Sequence, residues 1–321
     1  MTLSMRMLAL VFALGITAAK AETYPARPIR LIVPFAAGGT VDIIARILAT
    51  KLSAVTGNNV VVDNRGGAGG VIGTQMAVQA PSDGYTLLIH SVSIAYDPSL
   101  HDKLPYDTTK DLAPVAMIGT TPNLLVVTPS FPARSAGDLI RMAHDSPGAI
   151  TYATGGFGSS SHLAVALFSF LSGAKFTHVP YKGAGPALAD VVAGHVDFTV
   201  ATMPAAIQQV RSSGLRALGI SSPTRSPELL DVPTVAETGL PGYEYVAWFG
   251  LFAPGTTRPE LVARISALVR EALDSPDTRD RLRLQGVETQ IQSPAEFRAK
   301  VRAEIKRWAP VIEKSGIKGS L

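Results

Sequence analysis

Two stretches of the 321-residue chain join glycines and small hydroxylated residues to an abrupt helical pattern, a combination suited to holding an anion. In the first, Phe35, Ala36, Ala37, Gly38, Gly39 and Thr40 precede a helical recurrence of Ile44, Ile47, Leu48, Leu52 and Val55, with Asp42 in the predicted first turn. In the second, Thr154, Gly155, Gly156, Phe157, Gly158, Ser159, Ser160, Ser161 and His162 lead into an apolar helix predicted from about Ser160 to Leu171. A helix that starts on such a turn points unpaired N–H groups and its positive dipole end outward, with no bulky side chain in the way. An ordinary strand-to-helix turn, with glycines for geometry alone, leaves the same trace. Ser160 and His162 also suggest a second chemistry, nucleophilic hydrolysis. The G-x-S-x-G elbow is missing, however, and neighbours in sequence do not make a triad, which is assembled in space.

The elements that must position these turns read as alternating strands and helices. Ile29 to Val33 is a short apolar strand ended by Pro34, and Val60 to Val62 is the next. After it, Gly67, Gly69 and Gly73 approximate a dinucleotide fingerprint, but the third glycine is displaced and the required acid is missing, so no nucleotide is expected. Tyr85 to His90 is a third strand, and Ser91 and Ser93 lie just past its carboxyl end, where ligands of open α/β sheets sit. Val115 to Gly119 and Asn123 to Val127 read as two extended runs around Pro122. A second strand–helix series begins at Ser135; in it Tyr181 and Lys182 follow the strand Thr177 to Val179, and Pro186 is placed as the first residue of the next helix. The aromatic run from Gly242 to Pro254 suits a strand crossing between lobes and pairing with Asn123 to Val127, with Trp248 and Phe249 as core or cleft wall. Three amphipathic helices follow, Arg258 to Leu273, Pro276 to Gln285 and Pro294 to Ser315.

Residues 1–21 carry Arg6, an apolar run from Met7 to Ile16 and the small residues Ala19 and Ala21, the pattern of a secretory signal peptide. Losing them with Arg6 and Lys20 lowers the formal charge from +4 to +2, and the remaining basic residues are scattered, so no nucleic-acid partner is expected. The chain has no cysteine, which excludes thiolate catalysis, iron–sulfur clusters and cysteine-ligated zinc. No cofactor or metal is expected, and about 300 remaining residues suggest two lobes.

The motifs P-F-A-A-G-G-T-V-D at Pro34 to Asp42, R-G-G-A-G-G-V-I-G-T at Arg65 to Thr74, D-G-Y-T-L-L at Asp83 to Leu88, K-L-P-Y-D at Lys103 to Asp107, T-G-G-F-G-S-S-S-H at Thr154 to His162 and V-P-Y-K-G at Val179 to Gly183 resemble, in order, those of the Bug family. These are extracytoplasmic substrate-binding proteins of tripartite tricarboxylate transporters. The resemblance implies an α/β, two-lobed periplasmic binding protein fold of the type II-like kind, each lobe a mixed sheet flanked by helices, with two hinge strands. It implies a small organic mono- or dicarboxylate between the lobes, delivered to a membrane permease of a large and a small subunit. The family's first ligand loop falls on Phe35 to Thr40 with Asp42, and its second on Thr154 to Ser161; Ala37 stands where many members carry proline, and His90 to Asp97 is where members vary.

Taken together, these readings give a monomeric periplasmic receptor and not an enzyme: signal peptide 1–21, first lobe 22–122 and 248–321, second lobe 123–247. The candidate ligand-binding residues are Phe35, Ala36, Ala37, Gly38, Gly39, Thr40, Asp42, Ser91, Ser93, Thr154, Gly155, Gly158, Ser159, Ser160, Ser161, Tyr181 and Lys182. The alternatives are an exported serine hydrolase built on Ser160 and His162, which would need the two in hydrogen-bond reach, and a carboxylate-sensing receptor for a membrane signalling protein. Cleavage after Ala21 is the first prediction. The intact mass of the exported protein should match a chain beginning at Glu22, and a mass that retains residues 1–21 would refute it.

Overall fold

The computed structural model describes residues 24–315 and 317; the signal-peptide reading lies outside them. The apolar residues of β1 (Ile29–Val33) are buried, and the chain turns at Gly38, whose φ of +81° is a left-handed conformation that favours glycine. Helix α1 (Thr40–Thr56) follows, buries Val41, Ile44, Leu48 and Leu52, and stops at the left-handed Gly57, whose amide bonds the Ser53 carbonyl. β2 (Val60–Asn64), α2 (Val71–Val78), β3 (Thr86–Ser91) and the single turn α3 (Asp97–Leu100) complete this series.

The next strand, β4 (Leu112–Val127), is the longest and joins two sheets. Its first part, Leu112 to Pro122, pairs antiparallel with β9 (Val246–Pro254), and its last five residues pair with β7 (Phe198–Thr202) and β8 (Arg216–Ile220). The two runs read around Pro122 are therefore one strand. Proline lacks an N–H, and here it sits where the ladder changes neighbours and the lost bond costs little. The aromatic run pairs with Leu112 to Pro122 and not with Asn123 to Val127, and it becomes strand only from Val246.

Between these strands lie α4 (Ala136–Asp145), β5 (Thr151–Thr154), α5 (Ser160–Ser172), β6 (Thr177–Pro180), α6 (Ala184–Val192) and α7 (Met203–Arg211). Pro186 is the third residue of α6, not the first. After β9 come α8 (Pro259–Asp274), α9 (Pro276–Leu284), β10 (Glu288–Gln292) and α10 (Pro294–Ser315). One sheet runs β2-β1-β3-β9-β4-β10, and the other runs β8-β4-β7-β5-β6. β1, β2 and β3 are mutually parallel, as are β5, β6 and β7, so the connecting helices begin at the carboxyl ends of strands in both sheets. Helix α8 packs on α1 and β4, and α10 packs on β4 and α3.

Two packing features give measurable consequences. Phe297 of α10 lies over Gly250 of β9, between Trp248 and Phe252 at ring-centroid distances of 5.3 and 5.1 Å. A β-carbon on Gly250 would come 2.0 Å from that ring, so Gly250→Ala must displace it. The variant should lose about 1–3 kcal/mol in denaturant unfolding. An unchanged midpoint would show that α10 yields without cost.

In the other sheet, Tyr152, His178 and His162 form a stack, with centroids 4.9 Å apart for the first pair and 4.4 Å for the second. Burial lowers the His178 pKa to about 4. Burial, with the neighbouring His178, lowers that of His162 to about 3. The native state therefore keeps both rings neutral while the unfolded chain takes up protons below its ordinary value of 6.5. Stability should fall as the pH drops from about 6.5 toward about 4, and His178→Gln should flatten that slope. Parallel slopes for the two proteins in thermal melts would contradict this.

Candidate functional site

Four helices begin at one cavity between the sheets. Gly39, Thr40 and Val41 of the α1 start, Ser159, Ser160 and Ser161 of the α5 start, Ala184 of α6 and Thr202, which caps α7, all line it. The cavity volume is about 50 Å³. The first-turn amides of Thr40, Val41, Ser160 and Ser161 have no acceptor among the described residues. Hydroxyls of Ser91, Thr199 and Thr202 add polar points, and Phe35, Phe249, Leu188 and Ala201 form an apolar wall. No charged side chain among the described residues lines the space. Such a site can hold a carboxylate by dipoles and neutral donors at one end and an aliphatic chain along the other.

The carboxylate nearest this end is spoken for. Asp42 is 4% exposed and accepts hydrogen bonds from the Gly38 amide at 3.0 Å, Asn64 Nδ2 at 3.0 Å and Arg46 Nε at 3.0 Å. Burial pushes its pKa up, but Arg46, the Gly38 amide and Asn64 together outweigh that and leave it below the usual value. Asp42 thus shapes the turn and does not face the cavity. Gly39, unlike Gly38, has an ordinary φ of −85°, so its requirement is space: a β-carbon there would lie 3.5 Å from that of Ala184.

The two sides of the cleft meet backbone to backbone. The Ala36 amide donates to the Lys182 carbonyl at 3.3 Å, and the hydroxyls of Thr40 and Thr202 are hydrogen-bonded across the cavity. A β-carbon on Gly183 would come 2.9 Å from the Ala36 nitrogen, and one on Gly69 would come 2.1 Å from the Phe157 carbonyl oxygen. Behind the α5 start, the Ser160 hydroxyl bonds that of Tyr245 at 3.0 Å, which bonds that of Tyr96 at 2.8 Å.

This arrangement bears on hydrolysis. His162 does not bond Ser160; its Nδ1 accepts from the Gly158 amide at 3.2 Å. His90 is fully buried, its pKa lowered to about 4 by burial, and its Nδ1 lies 3.0 Å from the Ser91 carbonyl oxygen. Among the described residues, no group of three or more acidic or histidine side chains could hold a metal ion.

Of the residues singled out from the sequence, Phe35, Gly39, Thr40, Ser91, Gly155, Ser159, Ser160 and Ser161 come together around the cavity. Ala36, Ala37 and Gly38 form the loop that meets the opposite side. Ser93 is buried behind Ser91, hydroxyl to hydroxyl at 2.8 Å, and Thr154 and Gly158 bond His178 and His162. Tyr181 and Lys182 border a separate space at the mouth of the cleft. Sequence reasoning missed Val41, Ala184, Ala187, Leu188, Thr199, Ala201 and Thr202, and left Phe249 between core and wall; it is both. The signal for Thr202 was present, since a threonine before Met203-Pro204 repeats the hydroxyl-then-helix pattern of the other two turns.

The chain is similar to known proteins over most of its length. Residues 44–317 match the model of the tripartite tricarboxylate transporter family receptor. Protein BugT of Bordetella pertussis is 41% identical over 300 residues, covering 93% of this chain and 92% of that one. A protein of R. palustris solved with adipate is similar at 37% identity and a TM-score of 0.89, covering 93% of this chain and all of that one. MatC from Rhodopseudomonas palustris, solved with bound malate, follows at 34% identity and a TM-score of 0.86, covering 90% and 100%. The two-lobed α/β fold is that of periplasmic binding proteins, and the family is one of receptors. The chain belongs to the Bug family, the substrate-binding receptors of tripartite tricarboxylate transporters.

Proposed function

We propose that this protein is a periplasmic receptor that captures a small organic mono- or dicarboxylate between a first lobe of residues 22–122 and 248–321 and a second of 123–247. It then delivers the ligand to a membrane permease with a large and a small subunit. The observation that carries the reading is the convergence of four helix starts, rich in unpaired amides and hydroxyls, on one cavity without a charged side chain. Such donors bind a carboxylate in charge-assisted hydrogen bonds, and each helix end adds roughly 0.3–1 kcal/mol, more when partly buried. Among the candidate residues, Phe35, Gly39, Thr40, Ser91, Gly155 and Ser159 to Ser161 make the direct contacts. Asp42, Ser93, Thr154 and Gly158 hold the turns in shape. The adipate and malate bound by two solved relatives support the ligand class. Capture without turnover fits a Ser160 hydroxyl bonded to Tyr245 and a His162 Nδ1 that accepts from the Gly158 amide, so that neither bonds the other. No helix among the described residues is long and apolar enough to cross a membrane, which accords with a receptor that hands its ligand to a separate permease.

Space at Gly39 gives a direct test. Valine can adopt the backbone angles there, but its methyls would project beyond a β-carbon already 3.5 Å from Ala184, into the converging helix ends. Gly39→Val should weaken binding of malate and adipate on the order of a hundredfold in titration calorimetry while leaving the circular dichroism unchanged. Gly39→Ala should bind within a few-fold of the unmodified protein. Full affinity in the valine variant would place the carboxylate elsewhere.

A further inference from the structure

The two sides of the cleft are also joined by charged side chains, none of which lines the cavity. Glu228 lies in the turn Pro227–Leu229 between β8 and β9, and Arg211 ends α7, which links β7 to β8, so both belong to the side of the β7–β8 sheet. Arg283 and Leu284 end α9, which packs on α1 and leads into β10 of the other sheet. The Arg283 guanidinium donates to Glu228 Oε1 at 2.6 Å, and that of Arg211 donates to Glu228 Oε2 at 2.9 Å. Arg211 also donates to the Leu284 carbonyl at 3.3 Å, at the carboxyl end of α9 where a cation is favoured. The two arginines thus cross the seam in opposite directions. The Glu228 side chain is only 10% exposed, so its attraction for Arg283 is screened less than that of a free surface pair. Nearby the two sides are closely packed, since a β-carbon on Gly286 would come 2.0 Å from the Met203 sulfur of α7.

The way these charges are shared makes the contact reversible. When α9 moves away, Glu228 keeps Arg211, which stays on its own side, and Arg283 keeps Asp280 of its own helix at 3.6 Å. Neither partner is left as a buried, unpaired charge, which is the usual penalty for breaking such a pair. We propose that Glu228, Arg283 and Arg211 form an electrostatic latch between the two sides of the cleft, so that the population of the closed form is set partly by an ion pair outside the ligand site. The latch goes beyond the capture reading and rests only on its two-lobed closure, since it touches no ligand and favours none. Affinity for any cleft ligand rises with the closed population. Arg283 is 58% exposed, so added salt loosens the latch.

The chain has no cysteine, so Ala54→Cys on α1 and Ala189→Cys on α6, both exposed, give one spin label on each side of the cleft. Electron–electron distance measurements then follow closure in the unliganded protein and with excess malate or adipate, at low salt and at about 0.5 M salt. Arg283→Gln should lower the ratio of short to long distances about threefold in at least one of these ligand states at low salt. Glu228→Gln should do the same from the other side, and Arg283→Lys should keep most of the short distances. Salt should produce a similar loss in the unmodified protein and little further loss in Arg283→Gln. Arg281→Gln, which removes a pair with Asp277 inside α9, should change nothing. Identical distributions for the unmodified protein and Arg283→Gln in every ligand state, or an equal salt effect in both, overturn the latch and leave the carboxylate reading standing. If neither malate nor adipate binds, that counts against the carboxylate reading alone, and the unliganded comparison decides the latch.

Discussion

A helix that starts in a buried place leaves amide hydrogens with nothing to bond, and an unmet buried donor costs about 1–3 kcal/mol. One such start is easily satisfied by a capping side chain, as Ser135 does for α4 by accepting the Asp138 amide. Around the cleft that remedy is used sparingly. Gly39 and Gly183 have no side chain to offer, and the Thr202 hydroxyl is hydrogen-bonded to that of Thr40 and not to its own helix. Such a deficit suits a molecule that enters from outside. Water can meet it in part, and a carboxylate meets it better because its charge answers the dipoles as well as the donors. The parallel strand order, the glycine turns and the apolar wall all serve to bring these unfinished ends to one point.

The absence of a cation from the inner wall follows from the same economy of contacts. A buried arginine or lysine would need its own partner whenever the site held only water, at a cost of several kcal/mol of desolvation. Fixed amides need no such insurance, since they are already part of the helices. Asp42 shows the complementary solution: a buried negative charge near the α1 start is tolerated because Arg46, Asn64 and the Gly38 amide surround it. Its role is to hold the turn open, and the site's polarity is decided by backbone.

Much of this was legible in the sequence. Alternating apolar strands and amphipathic helices, the two glycine–hydroxyl turns and the family motifs all correspond to elements of the fold. What was illegible has physical causes. Pro122 looked like a break because proline ends strands in most settings, and only the change of hydrogen-bond neighbours at that residue makes it tolerable inside β4. β10, with the sequence Glu-Thr-Gln-Ile-Gln, carries little apolar content to announce it, because it is a half-buried edge paired on one side with β4. Within the site, Ala184, Ala187, Leu188 and Ala201 matter for their shape, and shape leaves no mark on residue type. Gly38 and Gly39 look equivalent in sequence, yet one is needed for its backbone angle and the other for room.

Ser221 joins the two places where the chain passes from one sheet to the other. Its hydroxyl accepts the Asn123 amide at 2.7 Å and donates to the Tyr245 carbonyl at 2.5 Å, while its own amide bonds Asn123 and its carbonyl bonds Tyr245. The crossing at Pro122–Asn123 and the one at Tyr245–Val246 are thereby stapled side by side. Two adjacent covalent tethers, held at fixed separation, remove most of the freedom one sheet has relative to the other. Sliding would stretch one tether and slacken its twin, and separation would tear both. Rotation about the line through the pair remains, and it passes through a point in β4 where one set of ladder bonds has ended and the next has just begun, so turning there need not rupture a sheet. A single serine thus binds the two crossings into one hinge line beside the cleft.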